Sequence, residues 1–85
     1  MVHGDAMSSF DHYAATRDLI ANLEHAGCSN EAAVLRNAIA EGSTGTEIFM
    51  AIRFHIAEII SRVPLAPDIG ESASRLLAEL DKALE

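Results

Sequence analysis

The sequence predicts an all-α fold, a small four-helix bundle of antiparallel helices joined by short connections. Four segments space their apolar residues by three or four positions, as amphipathic helices do. Glycine or proline residues separate these segments, and no segment alternates apolar and polar residues with the period of two that strands show. The chain has 85 residues, 49% of them hydrophobic, which is enough for one domain with a modest core. We expect residues 1–7 to form a disordered lead-in and residues 8–85 to form a single helical domain.

The first helix is predicted over about residues 10–26. Ser8 or Ser9 is the expected N-cap, because a serine hydroxyl accepts a hydrogen bond from a free amide of the first turn. Gly27 is expected to end the helix, since glycine readily adopts the left-handed backbone conformation. The residues predicted to face inward are Tyr13, Thr16, Leu19, Ile20 and Leu23.

The second helix is predicted over about residues 30–41, with Ser29 or Asn30 as its N-cap. Gly42 is expected to end it before a tight link to the third helix. Its alanines allow a neighbouring helix to approach closely. The residues predicted to face inward are Ala32, Leu35, Ala38 and Ile39.

The third helix, about residues 44–63, is the longest and most apolar segment, and we expect it to be the central and most buried helix. Thr44 and Glu47 fit a capping box, in which the hydroxyl accepts from the amide of Glu47 and the carboxylate accepts from the amide of Thr44. Pro64 ends the helix, because proline cannot continue the hydrogen-bond ladder. The residues predicted to face the core are Ile48, Ile52, Ile56, Ile59 and Val63.

The fourth helix is predicted to begin at Asp68, whose carboxylate serves as its N-cap. Before it, Pro64 and Pro67 keep the connection extended. A regular apolar stripe with spacings of three and four residues then runs to the end of the chain. It consists of Ile69, Ala73, Leu76, Leu77, Leu80 and Leu84.

The third helix also has a second apolar face, which ordinary surface helices lack. This face contains Met50, Arg53, Phe54 and Ala57. Either neighbouring helices cover it or another chain does, and we predict these four residues to be the partner-binding site. Aromatic, methionine and arginine side chains are enriched in binding interfaces. A second interpretation of Arg53 stays open, in which its aliphatic stem covers apolar neighbours while its guanidinium reaches water.

The composition is strongly acidic, with 13 Asp and Glu residues, 6 Lys and Arg residues and a formal net charge of −7. A nucleic-acid interface needs a basic patch, so we expect no nucleic-acid partner. The same charge disfavours an anionic membrane surface, and the third segment is too short and too charged to span a membrane. A basic protein partner fits this charge, and so does a surface that serves solubility alone.

No segment meets the requirements of a catalytic, metal or cofactor site, so we expect a non-enzyme without a metal or cofactor. The glycine-containing turn at 42–46 lacks the lysine of a phosphate-binding loop. His55 and Glu58 have a spacing that permits metal ligation, but they lie opposite the isoleucine stripe, toward water. Cys28 lies near His25 at a helix start, yet no third group completes a nucleophilic site.

The cysteine content and the N-terminus bear on localisation. A single cysteine, Cys28, cannot form an internal disulfide and fits a reducing compartment. The N-terminus lacks a basic start followed by an apolar run, so we expect no secretory signal and predict a cytoplasmic protein. The polar N-terminal residues His3, Asp5, Asp11 and His12 are expected to be mobile or solvated.

Three short segments within residues 19–63 carry a family resemblance: AG, EAAVLRNAI and GSTGTEI, in this order. With them the chain resembles small acidic all-helical bacterial proteins of the toxin-immunity type. The resemblance rests on the positions at which helices break, and it assigns no functional residue. It implies that the protein inhibits a cognate toxin by direct binding that occludes it.

Three functional hypotheses follow from the sequence. The first is a non-enzymatic protein-binding module, namely an immunity or inhibitor protein that neutralises a basic toxin or effector. The second is a homo-oligomeric structural or scaffolding domain, in which the face around Met50, Phe54 and Ala57 closes a symmetric homodimer. The third is a small metalloprotein that uses His55 and Glu58.

Overall fold

The computed structural model describes residues 10–85, which form four α-helices and no strand. The predicted all-α four-helix bundle is therefore confirmed. The helices α1, α2, α3 and α4 span His12–His25, Ser29–Glu41, Gly45–Arg62 and Pro67–Ala83, respectively. The lead-in predicted at 1–7 and the predicted caps Ser8 and Ser9 lie outside the described residues.

Each helix packs against two neighbours. α1 contacts α2 and α4, and α3 contacts the same two helices, so the four helices form a closed ring in chain order. The links between them contain only a few residues, which makes sequential helices antiparallel neighbours. α3 lies between two helices as predicted, but it is not the most buried helix. Three of its residues are buried, against four in α1 and four in α4, because large apolar residues on its outer side, Met50 and Phe54, are exposed.

The core lies between the four helices and is aliphatic. Most of the residues predicted to face inward are buried: Thr16, Leu19, Ile20, Leu23, Ala32, Leu35, Ala38, Ile52, Ile56, Ile59, Ile69, Ala73, Leu76 and Leu80. The remaining ones are half-buried at the ends or edges of the core: Tyr13, Ile39, Ile48, Val63, Leu77 and Leu84. The hydroxyl of buried Thr16 donates a hydrogen bond of 2.7 Å to the carbonyl oxygen of His12, so this polar group is satisfied.

The start of α3 follows the predicted capping box with one difference. The Thr44 hydroxyl accepts a hydrogen bond from the amide of Glu47 at 3.1 Å, as predicted. The Glu47 carboxylate accepts from the amide of Ser43 at 3.0 Å instead of from that of Thr44, so its predicted partner is wrong by one residue. The carboxylate therefore ties the link before the helix to the first turn.

α1 begins two residues later and ends one residue earlier than predicted. Its N-cap is Asp11, whose Oδ1 accepts a hydrogen bond of 3.0 Å from the amide of Ala14. Asp11 is exposed, in agreement with the expectation that it is solvated, and its carboxylate also holds the first turn in place, which was not predicted. After α1, Gly27 has a φ of +85°, which confirms the predicted left-handed conformation.

α2 begins one residue earlier than predicted. Its N-cap is Cys28, and no side chain caps it, so the predicted caps Ser29 and Asn30 are wrong. The turn at Gly27 brings the amide of Cys28 to 2.7 Å from the carbonyl oxygen of Leu23, so the backbone itself sets the start of the helix.

α4 also begins one residue earlier than predicted. Pro67 occupies its first turn and Ala66 is the N-cap, without a side-chain hydrogen bond. The fixed φ of proline suits the first helical position, where the missing amide hydrogen is not needed. The predicted cap Asp68 lies inside the first turn, where the helix dipole favours its negative charge.

Candidate functional site

The four predicted partner-binding residues lie together on the outer face of α3, the name used below for Met50, Arg53, Phe54 and Ala57. Met50 is 50% exposed and Phe54 is 60% exposed. Ala57 is exposed and Arg53 is half-buried. Residues three and four positions apart share one side of a helix, so these side chains form a continuous stripe. Within residues 10–85, no neighbouring helix covers this stripe.

The outer face of α3 borders a groove between α3 and α4. All four of its residues line this α3–α4 groove, together with Leu77 and Asp81 from α4. Arg53 reaches across it, with Nη1 at 3.5 Å from Oδ1 of Asp81. Both side chains are substantially exposed, so the ion pair contributes at most about 1 kcal/mol. The guanidinium thus lies at the rim, where the second interpretation of Arg53 placed it.

Phe54 lies on the crest between two grooves. Its ring borders the α3–α4 groove and also a groove between α2 and α3, the α2–α3 groove. It contacts the ring of His55 edge-on, with centroids 5.2 Å apart. Among residues 10–85, the exposed large hydrophobic side chains are Val34, Met50 and Phe54, and all three border these two grooves. The exposed apolar surface is therefore concentrated on one side of the bundle.

Val34 is a residue of the candidate site that the sequence did not indicate. It lies on α2, is 39% exposed and lines the α2–α3 groove together with Phe54 of α3. Its only signal in the sequence is a large apolar side chain next to the inward-facing Leu35, off the buried stripe. Single exposed apolar residues are common on protein surfaces, so this signal gains meaning only when the fold brings Val34 near Phe54.

Carboxylates surround the α2–α3 groove. Glu31 and Glu41 line it from α2, and Glu47 and Glu58 line it from α3. Arg62 is the only Lys or Arg among its lining residues, and its Nε lies 3.0 Å from Oε1 of Glu58. Four carboxylates and one guanidinium give this groove a formal charge of −3. The apolar centre is thus flanked by net negative charge.

The predicted positions of His55 and Glu58 are only partly correct. Both side chains are half-buried and line the α2–α3 groove, whereas they were predicted to face water. Glu58 pairs with Arg62, and His55 contacts Phe54. In the part of the chain that the structure describes, no group of three or more His, Cys, Asp or Glu side chains is placed to hold a metal ion.

Cys28 packs against the core at the junction of α1 and α2. Its side chain is half-buried and packs against the core, as expected for a structural cysteine. Its backbone amide donates to Leu23 and its carbonyl oxygen accepts from the amide of Ala32 at 3.0 Å. The residue therefore joins the end of α1 to the start of α2.

An aromatic cluster at one end of the bundle was not predicted. The ring of His12 packs between those of Phe10 and Phe49, with centroids 5.0 Å and 4.7 Å away. Its Nε2 lies 3.3 Å from the carbonyl oxygen of Glu79. The ring of Tyr13 lies 5.5 Å from that of Phe49, so α1 and α3 touch here across the ring of helices. The expectation that His12 is mobile or solvated is wrong, because its half-buried ring is held between those of Phe10 and Phe49.

Two further findings bear on the site. None of the helices within residues 10–85 combines the length and the apolar character needed to cross a bilayer. Comparison of the chain with protein-family models, curated proteins and solved structures finds no match.

Proposed function

We propose that the chain is a non-enzymatic protein-binding module that contacts its partner through the outer face of α3. One observation carries the proposal: Phe54 and Met50 are 60% and 50% exposed on the same helix that buries Ile52 and Ile56 completely. Apolar surface concentrated on one side of a small domain is typical of a protein interaction site. The mixture of aromatic, methionine and arginine side chains is also typical of interface centres.

The proposed partner is a basic protein. A chain with a net charge of −7 attracts a cationic partner over a distance, which speeds the encounter and selects against acidic competitors. The resemblance to toxin-immunity proteins gives this partner a more specific form, a basic toxin or effector that the chain neutralises by direct binding. The proposed location is the cytoplasm, since the free Cys28 suits a reducing compartment.

A homo-oligomeric scaffold is the second candidate, and one observation favours it. Met50, Phe54, Ala57 and Ser61 follow one another at spacings of four, three and four residues on the outside of α3. Two helices that pack side by side use this spacing, and a two-fold axis would place the stripe of one copy against that of another.

The experiment compares three immobilised baits in native lysate: the wild-type chain, Phe54→Asp and Asn22→Asp. Asn22 is exposed on α1 and lines neither groove, so its variant adds the same charge at a distance from the site. The proposal predicts that wild type and Asn22→Asp retain one basic protein in near-stoichiometric amount, identified by mass spectrometry, and that Phe54→Asp loses it. Equal retention by all three baits, or no stoichiometric partner, contradicts the proposal.

Light scattering coupled to size-exclusion chromatography tests the second candidate. A wild-type dimer that Phe54→Asp converts to a monomer supports the homo-oligomer, because the outer face of α3 would then bind its own copy. A wild-type monomer contradicts the homo-oligomer and leaves the face free for another protein.

A further inference from the structure

We infer that the α2–α3 groove is the part of the site that receives the partner, and that it accepts a cationic amphipathic helix. This inference rests on the proposed function and sharpens it, because the outer face of α3 alone leaves two adjoining grooves open to a partner. Its charge distinguishes the α2–α3 groove from the α3–α4 groove, and its apolar lining and its length suit a helix.

The grooves of the bundle differ in formal charge. The α2–α3 groove carries a formal charge of −3. The α3–α4 groove contains Arg53 and Asp81, which pair with each other and leave no net charge. The groove between α1 and α2 is lined by Arg17, Glu24 and Arg36, so its formal charge is +1. A cationic partner is therefore favoured at the α2–α3 groove, where it also meets exposed apolar surface.

The apolar lining suits the face of a helix. Val34 on α2 and Phe54 and Ile59 on α3 line one half of the groove, with Val63 at its end. Val34 and Phe54 are 39% and 60% exposed, so an incoming side chain can still remove much of their surface from water. An amphipathic helix binds such a groove through residues spaced by three and four positions, while its polar face keeps contact with solvent and the rim.

The length of the groove sets the length of the helix that it accepts. Two adjoining concavities share Val34 and His55, so the groove continues from Glu47 at one end to Arg62 at the other. At about 1.5 Å per residue, this stretch of α3 is about 22 Å long. It therefore accepts a partner helix of about four turns.

The other available occupants do not match this charge. A second copy related by a two-fold axis would place an identical groove, with the same carboxylates and the same formal charge of −3, against this one. Residues 1–9 of this chain contain one aspartate and no lysine or arginine. A cationic segment of another protein is the occupant that neutralises the rim.

The test uses designed peptides as probes, since the charge and periodicity of the ligand are what the inference specifies. The first is a Leu/Lys peptide of about 18 residues with leucines at helical spacing. The second replaces every lysine by glutamate, and the third has the composition of the first in an order without helical periodicity. Fluorescence anisotropy measures their binding to the folded wild-type chain. We expect binding of the first peptide only, weakened as salt rises from about 50 to 300 mM.

A matched pair of double variants locates the site. Glu31→Gln with Glu58→Gln changes the formal charge of the groove from −3 to −1, because it removes two of the four carboxylates. Asp18→Asn with Glu71→Gln makes the same charge change at exposed positions on α1 and α4, outside this groove. We expect the double variant in the groove to weaken binding of the Leu/Lys peptide by about fivefold or more. The control double variant should weaken it by less than about twofold.

Equal weakening of peptide binding by the two double variants overturns the inference, because the peptide would then be attracted by the overall charge of the chain and not by the groove. No binding of the Leu/Lys peptide, or equal binding of all three peptides, overturns it too. Loss of binding in Leu77→Ser without loss in Val34→Ser would move the partner to the α3–α4 groove. In each of these cases, loss of the native partner by Phe54→Asp would leave the proposed function standing. Retention of that partner by Phe54→Asp would instead contradict the proposed function itself.

Discussion

Two aspartate substitutions, placed two residues apart on α3, should have opposite consequences for the fold. Ile56 is fully buried in the core, whereas Phe54 is 60% exposed on the outer face of α3. The substitutions Ile56→Asp and Phe54→Asp introduce the same side chain into the same helix, so they differ almost only in environment. We expect Ile56→Asp to unfold the domain and Phe54→Asp to leave it folded.

The expected magnitudes follow from burial. Removing a large aliphatic side chain from a core costs about 2–5 kcal/mol, and a buried carboxylate without a partner adds several kcal/mol more. At about 0.05–0.15 kcal/mol per residue, this chain has a free energy of unfolding of about 4–13 kcal/mol. Ile56→Asp therefore removes most or all of its stability.

Phe54→Asp should cost far less. Full burial of a phenylalanine side chain is worth about 1.5–3 kcal/mol, and only about two-fifths of Phe54 is buried, so the lost burial amounts to about 1 kcal/mol. Phenylalanine and aspartate have similar helix propensities, so the change of propensity adds little to this cost. The total of about 1 kcal/mol lies well below the expected stability of the domain.

Urea unfolding followed by far-ultraviolet circular dichroism measures both effects. Ile56→Val is the conservative control at the buried position and should lower the free energy of unfolding by about 0.5–1.5 kcal/mol. A wild-type midpoint for Ile56→Asp would refute the assignment of this side of α3 to the core. Unfolding of Phe54→Asp to the same extent as Ile56→Asp would refute the exposure of the outer face.

The remaining predictions concern helix ends and turns, each measured as the free energy of unfolding in urea. Thr44→Ala should cost about 1 kcal/mol, because it removes the acceptor for a first-turn amide of α3. Ser61→Ala should change stability by less than about 0.5 kcal/mol, since this exposed hydroxyl only bonds carbonyl oxygens of its own helix. Gly42→Ala should cost about 1–3 kcal/mol, because its new Cβ would overlap Cγ1 of Ile48. Gly45→Ala is the matched control and should cost less than about 0.5 kcal/mol, as its Cβ would meet only the Tyr13 hydroxyl, at 3.7 Å. Equal costs at Gly42 and Gly45 would contradict the close packing at Gly42.

The helices and their buried sides were predictable because periodicity is a local property of the sequence. The isoleucines of α3 and the leucines of α4 repeat at helical spacing, and the structure buries the central members of both stripes. The exact helix starts were less predictable. Around 28–30 several adjacent residues can serve as caps, and the hydrogen bond from the Cys28 amide to the Leu23 carbonyl oxygen decides between them. At the start of α1 the Asp11 carboxylate is the cap, and the sequence equally offered two serines before it.

The candidate site was predictable only in the part that lies on one helix. Met50 and Phe54 stand out because they interrupt the polar side of an otherwise amphipathic segment. Val34 and the carboxylates of the α2–α3 groove gain their meaning from the packing of α2 against α3, which no local pattern encodes. The aromatic enclosure of His12 is equally non-local, since Phe49 comes from α3.

The outer face of α3 is a surface that the isolated fold does not need but the proposed partner does. The most direct measurement is the affinity of the partner retained from lysate for wild type, Phe54→Asp and Asn22→Asp, by isothermal titration with all three variants folded. We predict that Phe54→Asp weakens binding at least about tenfold, or 1.4 kcal/mol, as an interface-centre aromatic does, and that Asn22→Asp binds like wild type. Unchanged affinity of folded Phe54→Asp would contradict the assignment of binding to the outer face of α3.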